Sequence, residues 1–249
     1  MRKIVVSLSK GGVGKTTTAV NLAAGLAMLG SRVLLIDTDT QGQAGSMLGL
    51  NPDAGLAEFL LGECKPEKAI LEARKNLFLL AGGRALAGVQ RLIVRKDFGG
   101  EQTLNETLAI LDGRYDYVIL DTPPGWSAIT INVLFYAREV LTPVSLEVLT
   151  LQGLLEFDQS LKAIQQYNQE LTLKYVLPTF LDRRVRKSIE ILQMLHEHYG
   201  DLVCEPIRYN VRLSEAPGFG QTIFEYDASS QGAEDYKKLT KRIVKNAKA

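Results

Sequence analysis

The sequence predicts an α/β fold in one domain, residues 1–249, with a mostly parallel twisted sheet and helices on both of its faces. Short runs rich in Val, Ile and Leu recur along the chain with helical patterns between them, as in parallel strands that are buried on both faces. The length suits one sizeable core, 46% of the residues are hydrophobic, and no repeat or linker divides the chain. These observations together indicate a doubly wound sheet.

The individual elements follow from local patterns. A strand is predicted at residues 3–8, and a helix begins near Thr16, with its apolar residues on one face and Gly30 suited to its cap. Strand, helix and strand in this order form a right-handed parallel unit. Between residues 45 and 101 the pattern is least regular, and no element is predicted there. Further strands are predicted at residues 32–36, 117–120, 140–144, 174–177 and 203–207, and later helices carry Ile189, Leu192 and Leu195, and Tyr236, Leu239 and Ile243.

Composition and charge exclude several classes of protein. The net charge is +1, so contact with a nucleic acid would have to come from local basic patches. The two cysteines, Cys64 and Cys204, lie far apart in no metal-like spacing, which argues against a disulfide scaffold or a zinc site. No apolar run has the length of a signal peptide or a membrane span. We therefore expect a soluble, unprocessed cytoplasmic protein.

A glycine-rich loop, SKGGVGKTTT at residues 9–18, separates the first predicted strand from the first helix. Its glycines let successive N–H groups turn toward anionic oxygens, and the helix N-terminus adds partial positive charge. Lys15 would then reach the β and γ phosphates, Thr16 would offer a hydroxyl to Mg²⁺, and Thr17 would reach the α phosphate. Ser9 stands where the generic pattern has glycine, and a simple connecting turn is the alternative. The loop favours a P-loop NTPase fold.

Three aspartates stand at the carboxyl ends of predicted strands, where α/β sheets bind ligands. Asp121 is predicted in the Mg²⁺ shell, directly or through water. Asp39 is predicted to orient or deprotonate an attacking water, and Asp37 to hold the metal's waters or to brace the loop. For any one of them a turn or a helix cap is the alternative role. A triphosphate brings negative charge that needs a metal, and the metal needs oxygen ligands, so the three together favour a site for a metal and a nucleotide.

Six motifs in order resemble the ParA/MinD group of deviant Walker A ATPases, and in particular the short Soj-type ParA proteins without an N-terminal helix-turn-helix. Here too nothing precedes the first predicted strand. The motifs cover nearly the whole chain, so a chance resemblance is excluded in practice. They are KGGVGKTTTAVNLAAGLA from residue 10, IDTDTQGQAGSMLG from 36, YDYVILDTPPG from 115, LPTFLDRR from 177, NVRLSEAPGFG from 210 and GAEDYKKLTKRI from 232.

The resemblance implies a Mg²⁺-dependent ATPase that forms a homodimer when it binds ATP. Lys10 would reach across a two-fold interface to the phosphates of the other subunit, so Lys10, Lys15 and Asp39 are the predicted catalytic residues. Thr16, Asp37 and Asp121 are the predicted metal residues. The segments 179–182 and 206–210 would wall the adenine. The predicted nucleotide contacts are Lys10, Gly11, Gly12, Val13, Gly14, Lys15, Thr16, Thr17, Thr179, Asp182, Pro206, Arg208 and Asn210.

Departures from the family pattern fall near the predicted nucleotide contacts. Arg208 and Tyr209 stand where proline and arginine are usual before Asn210. The others are Thr40 where proline is usual, Gln43 where asparagine is usual, and Trp126 after the prolines of the third motif. These departures fall in the regions that respond to the γ phosphate. We therefore expect them to affect the hydrolysis rate and the coupling to a partner, and we expect ATP binding to persist.

The resemblance further implies a dimer that binds DNA without sequence preference at the nucleoid, and a ParB-like or other cargo-adaptor protein that stimulates hydrolysis. Phosphate contact requires only local positive charge. The predicted DNA contacts are Arg183, Arg184, Arg186, Lys187 and Arg212. The last predicted helix is also basic, although cations at a helix C-terminus also favour the helix dipole; its members are Lys237, Lys238, Lys241, Arg242, Lys245 and Lys248.

The most direct prediction of function is therefore chromosome or plasmid partitioning. One alternative keeps the same ATPase and positions a protein complex or an organelle. A MinD-like membrane switch is disfavoured, and no membrane contact is expected, because after Tyr236 only Leu239, Ile243 and Val244 are sizeable apolar residues. A metabolic enzyme that transfers phosphate to a small molecule lacks an evident acceptor site.

Overall fold

The computed structural model of the protein describes residues 1–247, without the side chains of residues 148 and 149. Its centre is one sheet of seven strands, in which only the edge pair is antiparallel. The strands are β1 (Arg2–Val6), β2 (Val33–Asp37), β3 (Ile70–Arg74), β4 (Leu77–Leu80), β5 (Tyr117–Asp121), β6 (Glu139–Ser145) and β7 (Thr172–Thr179), in the spatial order β3-β4-β2-β5-β1-β6-β7.

Helices cover both faces of the sheet, which confirms the predicted α/β architecture. They are α1 (Lys15–Met28), α2 (Gln43–Met47), α3 (Leu56–Leu60), α4 (Pro66–Ala69), α5 (Leu86–Val94), α6 (Thr103–Leu108), α7 (Ala128–Tyr136), α8 (Val148–Gln165), α9 (Arg186–Tyr199), α10 (Val211–Glu215), α11 (Ile223–Tyr226) and α12 (Gln231–Lys245). Helices α1, α2, α11 and α12 pack on one face, and α3 to α9 on the other.

The strand sequences explain why both faces are covered. Along β1, Ile4 and Val6 enter one core while Val5 enters the other, because successive side chains of a strand point to opposite faces. Strands β2 and β5 divide in the same way, with residues 33–36 and 118–120 fully buried. Continuous apolar runs thus bury both faces of the sheet, as the sequence predicted.

Five of the six predicted strands are confirmed, with β1, β2, β5, β6 and β7 at the predicted places. The predicted strand at 203–207 is wrong. This segment is extended and runs beside β7, but only Val203 and Arg208 form isolated parallel bridges, to Val176 and Leu181. Pro206 has no N–H to donate, so a continuous ladder is interrupted.

Strands β3 and β4 lie in the region for which no element was predicted. They form an antiparallel hairpin whose turn contains Asn76 with φ 64°. The β3 side chains are half-buried or exposed, so they carry no continuous apolar run. The four-residue apolar run of β4 is too short to distinguish a strand from a helix by periodicity alone.

The topology brings three chain segments to one edge of the sheet. Strand β5 pairs in parallel with both β1 and β2, and Asp121 at its end is in register with Val6 and with Asp37. The loop after β1, the loop after β2 and the segment after β5 therefore meet at the carboxyl edge. Within residues 1–247, none of the helices has the length and apolar character that a membrane crossing requires.

Candidate functional site

The glycine-rich loop forms a turn that only glycine adopts readily. Gly12 and Gly14 have φ of 73° and 87°, in the left-handed region, and α1 begins at the next residue, Lys15. The carbonyl of Gly14 accepts the N–H of Thr18 at 2.9 Å, which starts the helix. Backbone N–H groups of the loop and the positive end of α1 therefore converge on one concave surface, as an anion requires.

Lys15 is almost completely buried, with 7% of its surface exposed. Its Nζ donates a hydrogen bond to the carbonyl of Lys10 at 2.8 Å and so closes the loop. Burial lowers the pKa of Lys15, while the carboxylates of Asp121 and Asp39 act in the opposite direction. The structure thus brings the predicted phosphate-binding ammonium next to two of the predicted acids.

Asp121 is fully buried, and neither of its carboxylate oxygens has a hydrogen-bond partner within the described part of the chain. Burial raises the pKa of Asp121 well above its usual value, neighbouring Asp37 raises it further, and the nearby Thr16 hydroxyl lowers it in part. A buried carboxylate without a partner is costly unless a cation neutralises it. Mg²⁺ prefers oxygen ligands, so Asp121 and Thr16 fit this ion.

Asp37 uses both carboxylate oxygens to hold the loop that follows β2. One oxygen accepts the N–H of Asp39 at 2.9 Å and the other accepts the N–H of Ala44 at 3.0 Å. Burial raises the pKa of Asp37 to about 6, and the two N–H groups favour the ionised form. Of the two roles predicted for Asp37, these contacts favour bracing of the loop over a place in the metal shell.

Asp39 is half-buried and lines a cavity that lies over the glycine-rich loop. Its Oδ1 accepts the N–H of Gln41 at 3.0 Å. Its backbone carbonyl accepts the N–H of Gly83 at 3.0 Å, and a Cβ on Gly82 would lie 2.5 Å from that carbonyl oxygen. The two glycines therefore let β4 approach the Asp39 loop closely. They lie in the region for which no element was predicted, although a Gly-Gly pair is a signal for such a close approach.

A cavity of about 550 Å³ lies over the glycine loop. Its walls come from the ends of strands and from the segment before α10. Thr179 anchors one wall, because its hydroxyl donates to the carbonyl of Val13 at 3.0 Å. The predicted contacts that line it are Gly11, Gly12, Gly14, Lys15, Thr16, Thr17, Asp39, Thr179, Arg208 and Asn210.

Two of the predicted base contacts do not line this cavity. The Asp182 carboxylate turns to the Arg184 guanidinium at 2.7 Å, and this pair holds the pKa of Asp182 at about 2. Pro206 lies in the segment beside β7, one residue before the lining begins at Ile207. Val13 is buried beneath the loop, where its carbonyl, and not its side chain, supports Thr179.

Two aromatic residues of the cavity were not named individually from the sequence, although Phe180 falls within the predicted wall segment 179–182. Phe180 has φ of 57°, and its ring lies over Gly14, where a Cβ would meet the ring carbon Cζ at 3.7 Å. Tyr236 of α12 is buried, and its hydroxyl lies 3.1 Å from the hydroxyl of Thr18. Periodicity identified Tyr236 as a core residue of a helix, and nothing in the pattern placed it beside the loop.

Arg208 lines the cavity with its stem while its guanidinium turns to α12. Asp235 accepts its side chain at 2.6 Å and its backbone N–H at 2.9 Å, and Glu234 accepts its side chain at 2.7 Å. These carboxylates raise the pKa of Arg208, so the guanidinium is always charged. Arg208 therefore ties the cavity wall to α12.

Lys10 does not line the cavity of its own chain. Its Nζ donates to the Thr150 hydroxyl at 2.6 Å and to a Glu147 carboxylate oxygen at 3.3 Å, at the start of α8. The Thr150 hydroxyl is in turn 2.8 Å from that of Ser145. These contacts hold the second lysine of the loop away from the phosphate-binding surface beside it.

Most of the predicted DNA-binding residues form ion pairs. Arg184 pairs with Asp182, Arg186 and Lys187 with Glu190, and Arg212 with Glu215. Arg183 is exposed and pairs with no carboxylate in residues 1–247. In the terminal helix, Lys238 pairs with Glu205 and Glu234, and Arg242 donates to the carbonyl of Val203; Lys248 lies outside the described residues.

Comparison with known proteins places the chain in a family. A family model described as "AAA domain" matches residues 1–173. The chromosome-partitioning ATPase Soj of Thermus thermophilus is 38% identical over 246 residues, which cover 98% of this chain and 96% of the relative. The sporulation initiation inhibitor protein Soj of Bacillus subtilis is 36% identical over 250 residues, with 98% of both chains covered.

A solved structure shares both the fold and the kind of ligand that the site suggests. Cobyrinic acid a,c-diamide synthase of Mycobacterium smegmatis, with bound ADP and magnesium, superposes with a TM-score of 0.86 at 32% identity. The match covers 100% of this chain and 96% of that one. Together with the glycine loop and its converging aspartates, these similarities show that the chain belongs to the ParA/Soj family of P-loop ATPases.

Proposed function

We propose that this ATPase is an ATP-operated dimerisation switch that binds DNA without sequence preference and uses hydrolysis to segregate or position a cargo. The buried carboxylate of Asp121, which lies beside Thr16 and Lys15 and has no hydrogen-bond partner among the described residues, carries the nucleotide part of the proposal. The ammonium of Lys15 and the buried carboxylate of Asp121, both beside the glycine-rich loop, are suited to binding a nucleotide together with Mg²⁺. The magnesium and ADP in the Mycobacterium enzyme support the same ligand class.

Each residue has a separate task in this mechanism. The loop N–H groups and the start of α1 bind the phosphate oxygens, and Lys15 adds its positive charge to the β and γ phosphates. Asp121 and Thr16 hold Mg²⁺, which neutralises phosphate charge when it is bound. Asp39 orients the attacking water, and Asp37 fixes the Asp39 loop through two N–H groups.

Lys10 couples nucleotide binding to assembly. In the single chain it lies on Thr150 and Glu147, outside its own cavity. Its ammonium would leave these partners for the phosphates of a second copy when two copies meet around ATP. Closure thus becomes favourable only when the triphosphate is present, which is a ligand-driven population shift.

The basic residues before and at the start of α9, together with Arg212 of α10, supply the DNA contact of the closed dimer. Within residues 1–247 Arg183 has no carboxylate partner, and Arg184, Arg186, Lys187 and Arg212 form exposed ion pairs that solvent screens. Two copies would double this patch, and phosphate contact through counterion release makes affinity fall steeply with salt. The apolar residues Leu239 and Ile243 of α12 are buried in the core, so they are not available for insertion into a membrane surface.

Chromosome partitioning is the process that the name of the Thermus relative supports, and plasmid partitioning would use the same switch. In the cytoplasm, at the nucleoid, a ParB-like or other cargo-adaptor protein would stimulate hydrolysis and release the dimer from DNA. Positioning of a protein complex or an organelle would use the same switch with a different adaptor. The genetic neighbour that encodes the adaptor distinguishes these two outcomes.

DNA binding by a hydrolysis-blocked variant tests the proposal. Asp39→Ala with Mg·ATP should bind a random-sequence duplex in fluorescence anisotropy, and with Mg·ADP it should bind at least about tenfold more weakly. Asp53→Ala, an exposed aspartate away from the cavity, serves as the matched control and should release DNA as ATP is consumed. Equal affinity with ATP, ADP or no nucleotide would contradict the switch.

A further inference from the structure

One face of α5 is unpartnered. This helix buries Leu86, Val89 and Ile93 in the core, and the residues three and four positions apart on its other side face outward. With Thr40 from the loop after β2, they line a groove of about 530 Å³. We call it the α5 groove; it is lined by Thr40, Ala87, Gln90, Arg91, Val94 and Arg95.

The α5 groove is cationic. Arg91 and Arg95 stand one turn apart on its wall, and Arg84 lies exposed just before the helix. None of the three has a carboxylate within 4.0 Å in the part of the chain that the structure describes, whereas most of the predicted DNA-binding arginines do. Asp97, the acid that follows Arg95 in sequence, is exposed and pairs with none of them. The groove therefore attracts an anionic group.

An apolar side chain lies among these cations. Val94 lines the groove and is 73% exposed. Leu92 and Phe98, close to Val94 in sequence but outside the groove lining, are 50% and 94% exposed. Arginines mixed with exposed apolar residues are typical of protein interfaces, where both kinds of side chain contribute strongly. The phosphate backbone of DNA requires only positive charge and would make no favourable contact with the apolar side chain of Val94. The mixture favours a protein segment with carboxylates and an apolar residue.

The groove also touches the loop that carries Asp39. Thr40 lines it, and the Thr40 hydroxyl donates to Asp39 Oδ1 at 3.5 Å. Gly83 donates its N–H to the Asp39 carbonyl, and its own carbonyl accepts the N–H of Leu86, where α5 begins, at 3.0 Å. A change at α5 thus reaches the Asp39 backbone through two hydrogen bonds.

We infer that the α5 groove docks an acidic, amphipathic segment of a partner protein and that its occupation changes the rate of ATP hydrolysis. Carboxylates of the segment meet Arg91 and Arg95, and an apolar side chain packs on Val94. Contact with Thr40 shifts the loop that positions Asp39. The docking stands by itself, while the effect on hydrolysis rests on the proposed function.

A designed peptide tests the docking. The probe is a fluorescein-labelled helical peptide with glutamates at i and i+4 and leucines on the same face. Anisotropy without nucleotide should show binding to the wild type and a loss of at least about tenfold for Arg91→Glu/Arg95→Glu. Lys65→Glu/Lys68→Glu changes the net charge equally on exposed residues at the start of α4 and should change the affinity less than twofold. Thermal melts confirm that both variants fold.

Any of three results would overturn the docking inference. They are the absence of binding to the wild type, an equal loss of peptide affinity in both double variants, and, in Arg91→Glu/Arg95→Glu, a larger loss of affinity for duplex DNA than for the peptide.

Val94→Asp should weaken peptide binding as well, and an unchanged affinity would count against the apolar contact. Saturating peptide should change ATP turnover of the wild type and leave Arg91→Glu/Arg95→Glu unaffected. Binding without any change in turnover would refute the link to Asp39, and a wild type that binds no ATP would instead refute the proposed function.

Discussion

Asp37 and Asp121 lie directly opposite each other at the ends of the paired strands β2 and β5, yet their carboxylates have different environments. Asp37 accepts two backbone N–H groups, while Asp121 accepts none within the described residues. The carboxylate of Asp37 is therefore satisfied by backbone N–H groups, whereas that of Asp121 has no such partner among the described residues. This difference supports the proposed roles, loop bracing for Asp37 and metal binding for Asp121.

The first prediction concerns the pH dependence of stability. Both acids have a folded-state pKa above the usual value of 3.8, that of Asp37 being about 6. An acid whose pKa is raised by folding destabilises the folded state once it ionises. The contribution of these two acids to the free energy of unfolding is therefore most favourable below pH 4 and falls as the pH rises through 6. Without nucleotide or Mg²⁺, Asp121→Asn should melt higher than the wild type at pH 8, and the difference should shrink toward pH 4.

Thermal melts across this pH range measure the effect. Mg·ATP should raise the melting temperature of the wild type at pH 8 and leave Asp121→Asn nearly unchanged, because the variant lacks the carboxylate that the cation needs. A variant less stable than the wild type at pH 8, or one stabilised equally by Mg·ATP, would disprove the assignment of Asp121.

The second prediction concerns the close approach of β4 to the Asp39 loop. A Cβ on Gly82 would lie 2.5 Å from the Asp39 carbonyl oxygen and 2.8 Å from Asp37 Oδ1, so Gly82→Ala must displace the loop. Turnover should fall at least about tenfold while ATP affinity changes less than about threefold. Gly88→Ala, within α5, meets nothing within 4 Å and should leave both unchanged. Normal turnover in Gly82→Ala would show that the loop position is not critical.

The third prediction concerns the clamp between Arg208 and α12. Asp235 is 5% exposed and accepts both the side chain and the backbone N–H of Arg208. Asp235→Asn should lower stability by about 1–3 kcal/mol and weaken ATP binding about tenfold, with kcat changed far less than KM. Glu234→Gln removes only the more exposed partner and should have a small effect. Equal effects of the two variants on KM would contradict the role of the buried pair.

The fourth prediction uses the only tryptophan of the sequence as a reporter. Trp126 stacks on Phe157 of α8 with ring centroids 5.4 Å apart, and neighbouring Gly125 donates its N–H to the Ser9 carbonyl at 2.8 Å. A nucleotide at the glycine loop should therefore change Trp126 emission. Phe157→Leu should alter the emission of the free protein and reduce the response to Mg·ATP, while Phe219→Leu, in another aromatic pair, should not. A wild-type spectrum that Mg·ATP leaves unaltered would refute this connection.

Sequence alone predicts the phosphate-binding loop well because its chemistry lies in consecutive residues. Gly12, Gly14 and Lys15 need only a strand before them and a helix after them, and both are present. The aspartates at strand ends are predictable for a related reason, since parallel strands end at one edge. Asp37 and Asp121 are neighbours in register, as that rule requires.

The walls of the cavity are harder to predict because they come from segments far apart in sequence. Phe180 reaches the loop through a left-handed backbone, and no pattern marks a phenylalanine for that conformation. Asp182 was predicted to line the cavity, but its carboxylate accepts a hydrogen bond from the guanidinium of Arg184, two residues away in the same loop. Local pairs of this kind compete with long-range contacts and leave no signal in periodicity.

The central claim is that ATP joins two copies of the chain, with Lys10 serving the neighbouring cavity. Light scattering on Asp39→Ala with Mg·ATP measures this most directly, with Lys10→Ala added in the same background. We predict the mass of a dimer for the single variant and, for the double variant, the mass of one chain, 27.4 kDa. A single-chain mass for Asp39→Ala at saturating ATP, or a dimer that persists without Lys10, would contradict the account.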